Sequence, residues 1–310
     1  MKNTMKKLFL AVSAIFMTFA LFAQDAAEAE APKAEWNKGI TTTIGFSQLS
    51  LMQWAAGGVG QLTLNTYADL YANMTKGKVV WNNELQAGYG FIHSFDKDYL
   101  LKSDDRLIFD SKFGYKAAEK LYFSAVYNFR TQFAEGWDTK HEEIISNFFA
   151  PAYTSLGLGI DYTPSKNVAI NFAPLTGKVT MVRPEELRVR YGNKEDQFAR
   201  FELGAQLRLD AKLEVENFKV GTALVLFSDY LNKPLNVKVN WDVNAEAKVT
   251  KFFSVTLRTN LIYDDNVLVP KYYKTAGLDH AAGDMYQGKG IQFKELFSIG
   301  FTYTFGQAKK

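Results

Sequence analysis

Histidines, serines and clustered carboxylates are the residues here whose chemistry could define a function. The imidazoles are His93, His141 and His280, and the chain has no cysteine. A transition-metal site would need these histidines to converge with a carboxylate such as Asp265, Asp279 or Asp284. All three fall in segments read below as loops, where isolated histidines need no metal to explain them. His141 with Ser146, or His93 with Ser94, could form the Ser–His pair of a lipid hydrolase on a barrel rim. No third group orients either pair, and Ser47 after Gly45 lacks the second glycine of a nucleophile elbow. Asp104-Asp105 and Asp264-Asp265-Asn266 could hold Ca²⁺ or the cations that bridge lipopolysaccharide, but they read first as solvated rim charges. Gly157-Leu158-Gly159 has no helix after it to form a nucleotide loop. No catalytic residue, metal ligand or cofactor is assigned, and the chain is not read as an enzyme.

The elements that carry these residues are strands. From Val237 to Val249 the odd positions are Val, Val, Trp, Val, Ala, Ala and Val, while the even positions are polar or charged. The alternation breaks at Thr250–Phe252 and resumes with Phe253, Val255, Leu257, Thr259, Leu261 and Tyr263. One face of each strand is therefore apolar and the other polar. Soluble strands run to about 5–6 residues, whereas a bilayer-crossing β-strand needs roughly 9–11. The pair reads as a hairpin facing lipid outward and a polar lumen inward.

Composition hides the membrane. Mean hydropathy is −0.17, as expected when every second residue faces water. Aromatic residues make up 15% of the chain, suiting strands and lipid interfaces. The formal charge of +3 equals the contribution of Lys2, Lys6 and Lys7, so the remainder is neutral and gives no sign of nucleic acid as a partner. Those lysines precede the apolar run Leu8–Phe22 and then Ala23, the pattern of a cleaved signal peptide over 1–23. Residues 24–35 are Ala/Glu-rich and expected to be disordered, 36–306 form the barrel, and 307–310 are a tail.

Along the chain the alternation predicts about twelve strands. Tight connections near 76, 118, 165, 215 and 251 alternate with long ones near 54, 98, 142, 186, 232 and 277. Asp264–Lys289 and Thr176–Gln197 read as long irregular segments. The fold expected is an all-β, transmembrane, antiparallel up-and-down β-barrel with short periplasmic turns and long extracellular loops. Outward aromatics collect near both strand ends as two girdles. Glu295 falls on the lipid-facing parity of the last strand, which calls for a rim position or a bulge. Inward positions carry mixed charge, and Arg106, Asp110, Arg130, Arg208, Asp242 and Arg258 are the candidate pore-lining residues. Such charges either pair across strands and fill the lumen or line a weakly selective pore.

Several segments together resemble a family of uncharacterised Bacteroidota outer-membrane proteins catalogued as a domain of unknown function. They are Trp54 with Gly57-Gly58, Ser103-Asp104-Asp105-Arg106, Ser111–Lys116, Thr131-Gln132-Phe133 with Gly136, and Ser146–Tyr153 running into Gly157–Tyr162. The resemblance implies a barrel and no activity. The function expected is a small-solute, porin-like channel. The alternatives are a non-conducting structural or surface-interaction barrel and, last, a rim lipid hydrolase. Expected partners are outer-membrane lipid and lipopolysaccharide, small solutes, and the barrel-assembly machinery, which would read Phe301, Tyr303 and Phe305 in an exported Gram-negative protein.

Overall fold

The structure is a computed structural model describing residues 32–50, 59–138, 141–274 and 284–306. The expected signal peptide, the tail 307–310, and Trp54, Gly57, Gly58, Asp279 and His280 lie outside the described residues. In chain order the strands are β1 (Glu35–Leu49), β2 (Gln61–Lys76), β3 (Val79–Ser94), β4 (Leu100–Ala118) and β5 (Leu121–Thr131). The short β6 (Gly136–Trp137) and β7 (Ile144–Ser146) follow, then β8 (Ala152–Ser165), β9 (Val168–Met181) and β10 (Ala199–Val215). The last four are β11 (Phe218–Asp229), β12 (Val237–Lys248), β13 (Phe253–Tyr272) and β14 (Met285–Gly306). Twelve of them form a closed antiparallel barrel in which β14 pairs with β1, while β6 and β7 form a separate hairpin inside the loop joining β5 to β8.

Period-two patterning explains the closure. Outward positions hold large apolar side chains such as Phe297 and Phe301, 58% and 65% exposed, whereas the inward Tyr67 is 2% exposed. Satisfying every backbone group between neighbours and leaving no open edge is what lipid demands of a sheet. Trp36 and Trp81 meet at 6.4 Å on the turn end, and Phe252 stacks on Tyr303 at 5.7 Å, consistent with an interfacial belt. Gly77 takes the left-handed φ of 57° in the tight β2–β3 turn, a region open to glycine at no steric cost.

Two sequence boundaries move. β9 runs on to Met181, and β13 and β14 extend the final hairpin to the pair Tyr272↔Met285. Bulges hide both extensions from a parity reading. The β9 register shifts around Pro174 on both of its neighbours, where a missing N–H is tolerated. Between Tyr263 and Leu268 the strand β13 gains residues relative to β14, which resets the alternation. Glu295 keeps its outward parity opposite Thr259, and its strand carries no register shift between Ile291 and Phe301. Of the two expected alternatives, a rim position or a bulge, the bulge is absent there. The carboxylate lies on the loop side of the last β1–β14 pair, Phe46↔Ile299.

The glycines at the barrel wall separate two environments. A Cβ at Gly204 would collide with the Ser228 carbonyl, whereas one at Gly221 would meet nothing within 4 Å because it points into free lumen. Gly204→Ala should destabilise the barrel by about 1–3 kcal/mol through overpacking. Gly221→Ala should be neutral or stabilising by up to about 1 kcal/mol. Urea unfolding from lipid vesicles, compared for the two variants, checks this contrast.

Candidate functional site

The inward parity of the strands brings charges of both signs into one lumen, and they meet across it. Nearest the turn end, Arg208 on β10 reaches Asp110 on β4 at 3.1 Å and its neighbour Asp210 at 3.0 Å. Next, Arg130 on β5 lies 3.8 Å from Asp242 on β12 and donates to Asn260 Oδ1 on β13 at 3.4 Å. Asn260 Nδ2 in turn donates to Asp242 at 2.7 Å. β5 and β13 stand opposite each other in the ring of strands, so this contact crosses the full lumen.

A third group centres on Tyr67 of β2. Its ring lies between the guanidinium groups of Arg258, 4.0 Å from the centroid, and Arg106, 5.0 Å away. Its hydroxyl donates to Asp104 at 2.9 Å. Asp104 also faces Arg106 at 3.3 Å and pairs with Lys294 from β14, while Arg258 reaches Asp69 at 3.1 Å. Cation–π contact from both guanidinium groups adds to these ion pairs in a desolvated setting.

Nearest the loops sits Glu202, with none of its surface exposed. It pairs with Arg200 at 3.0 Å, with Lys238, and with Lys178 at 3.9 Å. Asp264, in the β13 bulge, receives Lys238 at 2.9 Å and Lys178 at 3.4 Å. The bulge therefore turns Asp264 inward, whereas Asp265, itself 5% exposed, meets the exposed Lys233 and Lys289. Neither acidic cluster is a solvated rim charge, as the sequence reading had them. Asp105 likewise pairs with Lys102 at 2.8 Å and accepts from the Phe133 and Ala134 amides at 2.7 and 2.9 Å.

That last contact holds down a lid. The β5–β8 loop and the segment 182–198 pack together through Ala150, Val182 and Leu187, with Ile144 and Tyr191 around them. The segment contains a short helix α1 (Glu185–Arg188) and a 3₁₀ turn (Val189–Tyr191). Gly192 follows at φ 82° and packs against Asn266, where a Cβ would clash. The Tyr191 hydroxyl donates to the Ile145 carbonyl at 2.8 Å, and burial pushes its pKa up to about 12.

Free space in the lumen falls into three adjoining regions. A turn-end vestibule of about 690 Å³ is walled by residues including Tyr71, Asn83, Glu84 and Lys112. A middle cavity of about 240 Å³ shares Glu84, Asp110, Arg208 and Asp210 with it, and Asn128, Arg130 and Gln206 with the space above. A loop-end cavity of about 370 Å³ lies beneath Ile145, Pro151 and Tyr191.

All six candidate residues face the lumen, and each is engaged in an ion pair: Arg106, Asp110, Arg130, Arg208, Asp242 and Arg258. Tyr67 was not singled out from sequence, although an aromatic on the polar parity between Asn65 and Asp69 was its signal. Lys178 was not singled out, and Asp264 was read as part of an acidic rim cluster rather than as a lumen residue, because bulges placed both in apparent loops. His141 stacks between Tyr99 and Trp137, at 4.4 and 4.5 Å, and His93 packs on Phe95 at 5.8 Å. Ser146 Oγ accepts from Lys102 at 3.3 Å. Among the described residues no three His, Asp or Glu side chains gather as a metal site.

Removing the Glu202 charge strands three cations with only Asp264 to balance them. Glu202→Gln should cost about 3–5 kcal/mol of unfolding free energy. Glu214→Gln, which breaks the exposed pair with Lys219, should cost under about 1 kcal/mol in the same urea titration. The lid responds to pH in one direction. The Tyr191 pKa is raised, so its neutral form favours docking, and docking is intact below pH 10 and weakens as pH climbs toward about 12. Protease cleavage within 132–151 should accelerate over that range in wild type, while Tyr191→Phe should lose the rise that depends on this phenol.

Residues 46–137 match the family described as Protein of unknown function (DUF3078). This range takes in the Ser103–Arg106, Ser111–Lys116 and Thr131–Phe133 segments of the sequence resemblance; Ser146–Tyr162 lies beyond it. No curated protein matches the chain. Among solved structures, the translocator domain of the autotransporter NalP from Neisseria meningitidis aligns over 97% of both chains, with 9% identity and a TM-score of 0.36. The COG4313 outer membrane channel from Pseudomonas putida F1 aligns over 91% of this chain and 100% of its own, with 8% identity and a TM-score of 0.37. OmpT, an outer membrane protein of Vibrio cholerae, does so over 91% and 100%, with 9% identity and a TM-score of 0.29. The chain is a closed transmembrane β-barrel that carries, over residues 46–137, the signature of a family whose role is unassigned.

Proposed function

We propose that the protein is an outer-membrane barrel whose lumen is closed in this form, serving a structural or surface-interaction role rather than acting as an open porin. The contact from Arg130 to Asn260, joining opposite walls, carries this reading. An aqueous bore leaves its wall charges hydrated, whereas Arg106 is 6% exposed and Glu202 fully buried. Both barrel ends of the chain lie at the turn end, where Glu35 pairs with Thr75 and Gly306 with Gly39. That suits an exported chain with its turns in the periplasm and its loops outside. Lipid and lipopolysaccharide would cover the apolar belt, after insertion by the barrel-assembly machinery.

A small-solute channel is the second reading. It is favoured by the joined vestibule and middle cavity, which bring solvent from the turn end up to the Arg130 layer. Under that reading the six paired charges, Arg106, Asp110, Arg130, Arg208, Asp242 and Arg258, form the gate.

Planar-bilayer recording separates the two readings. Refolded wild type should show no discrete openings above an empty-detergent control. Arg130→Ala combined with Asp242→Ala removes both partners of the crossing layer without stranding a charge, and should introduce openings. Steady openings from wild type would make the protein a channel.

A further inference from the structure

We infer that the outer wall of β1–β4, just above the turns, binds an anionic phospholipid of the turn-side leaflet. Ladder register defines the site. Trp36 and Trp81 lie in one outward row, each opposite Met74 of β2. Two residues farther from the turns, the next outward row is Lys38, Ala72, Asn83 and Ser111. The row beyond it is apolar again, with Leu70 and Leu85 paired at its centre.

A charge and two polar groups therefore stand on the lipid-facing parity between apolar rows. A charge facing lipid is costly at the midplane and tolerated near the interface, where a lysine stem reaches back to the headgroups. Trp36 and Trp81, 52% and 39% exposed with ring centroids 6.4 Å apart, mark that level. The polar row is held in place by its own hydrogen bonds. Trp81 Nε1 donates to Ser111 Oγ at 2.9 Å, Ser111 Oγ to Asn83 Oδ1 at 2.8 Å, and Asn83 Nδ2 to the Ala72 carbonyl at 3.1 Å. Ala72 adds only a methyl between Lys38 and Asn83, which leaves a notch in the wall.

Charge determines what fills the notch. Lys38, and Lys76 and Lys78 at the turn below it, are exposed, and among the described residues none of them is engaged in an ion pair. Glu35 starts the same strand but on the opposite, lumen-side parity from Lys38. The lumen lysines differ, since Lys178, Lys238 and Lys294 each pair with a carboxylate. A phosphodiester with a net negative headgroup supplies the missing counter-charge. Asn83 Nδ2 has a second proton to give to an ester carbonyl, and the acyl chains then lie over Leu70 and Leu85.

The site rests on the reading that this wall meets lipid, and holds whether or not the lumen conducts. Trp54→Phe, Trp137→Phe and Trp241→Phe leave Trp36 and Trp81 as the tryptophans of the full chain. That chain is refolded into phosphatidylcholine vesicles carrying a minor fraction of lipid brominated close to the ester carbonyls. The brominated lipid is phosphatidylglycerol in one arm and phosphatidylcholine in the other, and tryptophan quenching is titrated against its mole fraction. A third arm adds free glycerol phosphate to the buffer.

Brominated phosphatidylglycerol should reach half-quenching at a mole fraction at least roughly fivefold lower than brominated phosphatidylcholine, the scale of one lysine at a membrane surface. Lys38→Gln combined with Lys76→Gln should lose that preference, whereas Lys166→Gln on the β8–β9 turn should keep it. Glycerol phosphate should leave the quenching unchanged. Equal quenching by the two lipids would overturn the site while leaving the wall in lipid. An equal loss in Lys166→Gln would also overturn it, reducing the preference to a general field of the rim. Displacement by glycerol phosphate would overturn it in favour of a soluble anion. Quenching by neither lipid would overturn the lipid-facing reading itself.

Discussion

Opposite charges that meet across the lumen are the interaction on which the remainder of this barrel depends. A ring of twelve strands is wider than the eight whose side chains fill the interior and narrower than the sixteen or so that hold an aqueous channel. Here long cations bridge the gap. Arg130, Arg208, Arg258 and Lys294 each reach carboxylates or amides on strands that are not their neighbours. Removing these charges from water is expensive and is offset only by close partners with further hydrogen bonds. Tyr67, in contact with two guanidinium groups and bonded to Asp104, shows how one such group is held together.

The same network organises the loop end. Asp104 and Asp105 are adjacent in sequence but serve different elements, one the lumen and the other the lid. The register shift between Gly90 and Phe91 falls at this point in β4, and a bulge can re-aim side chains in this way. The β13 bulge does the equivalent on the opposite side, delivering Asp264 to the Glu202 group and Asn266 to Gly192. The segment matched by the family model thus contains one of the two acidic anchors. Its Ser-Asp-Asp-Arg stretch supplies the Asp104 and Arg106 of the lumen group and the Asp105 that accepts the Phe133 and Ala134 amides.

Much of the architecture was legible in the residues. Strict alternation from Val237 to Val249 and from Phe253 to Tyr263 marked both faces of a hairpin, and the same rule placed all six candidate charges inward. The rule fails where the period fails. Pro174 and the residues 264–267 break parity, so strands that continue beyond them looked like loops, and the lumen positions of Lys178 and Asp264 were hidden with them. Pairing across the barrel was not legible either. Arg130 and Asn260 are far apart in sequence and on opposite walls, and parity assigns a face without saying which residues meet across the interior. Solvated acidic rims were the natural reading of Asp104-Asp105 and Asp264-Asp265 only while their lysine partners were unknown.

Directional access to the lumen tests the closed-barrel account most directly, and the cysteine-free sequence makes it simple to measure. Gly221 opens into the middle cavity, where a new side chain has room, and it lies on the turn side of the Arg130 layer. A lone thiol introduced as Gly221→Cys in oriented vesicles would be challenged with a membrane-impermeant reagent from each side in turn. Reaction from the turn side and protection from the loop side is the result this structure predicts. Equal reaction from both sides would contradict it, because it would mean that an open path runs through the layer of crossing ion pairs.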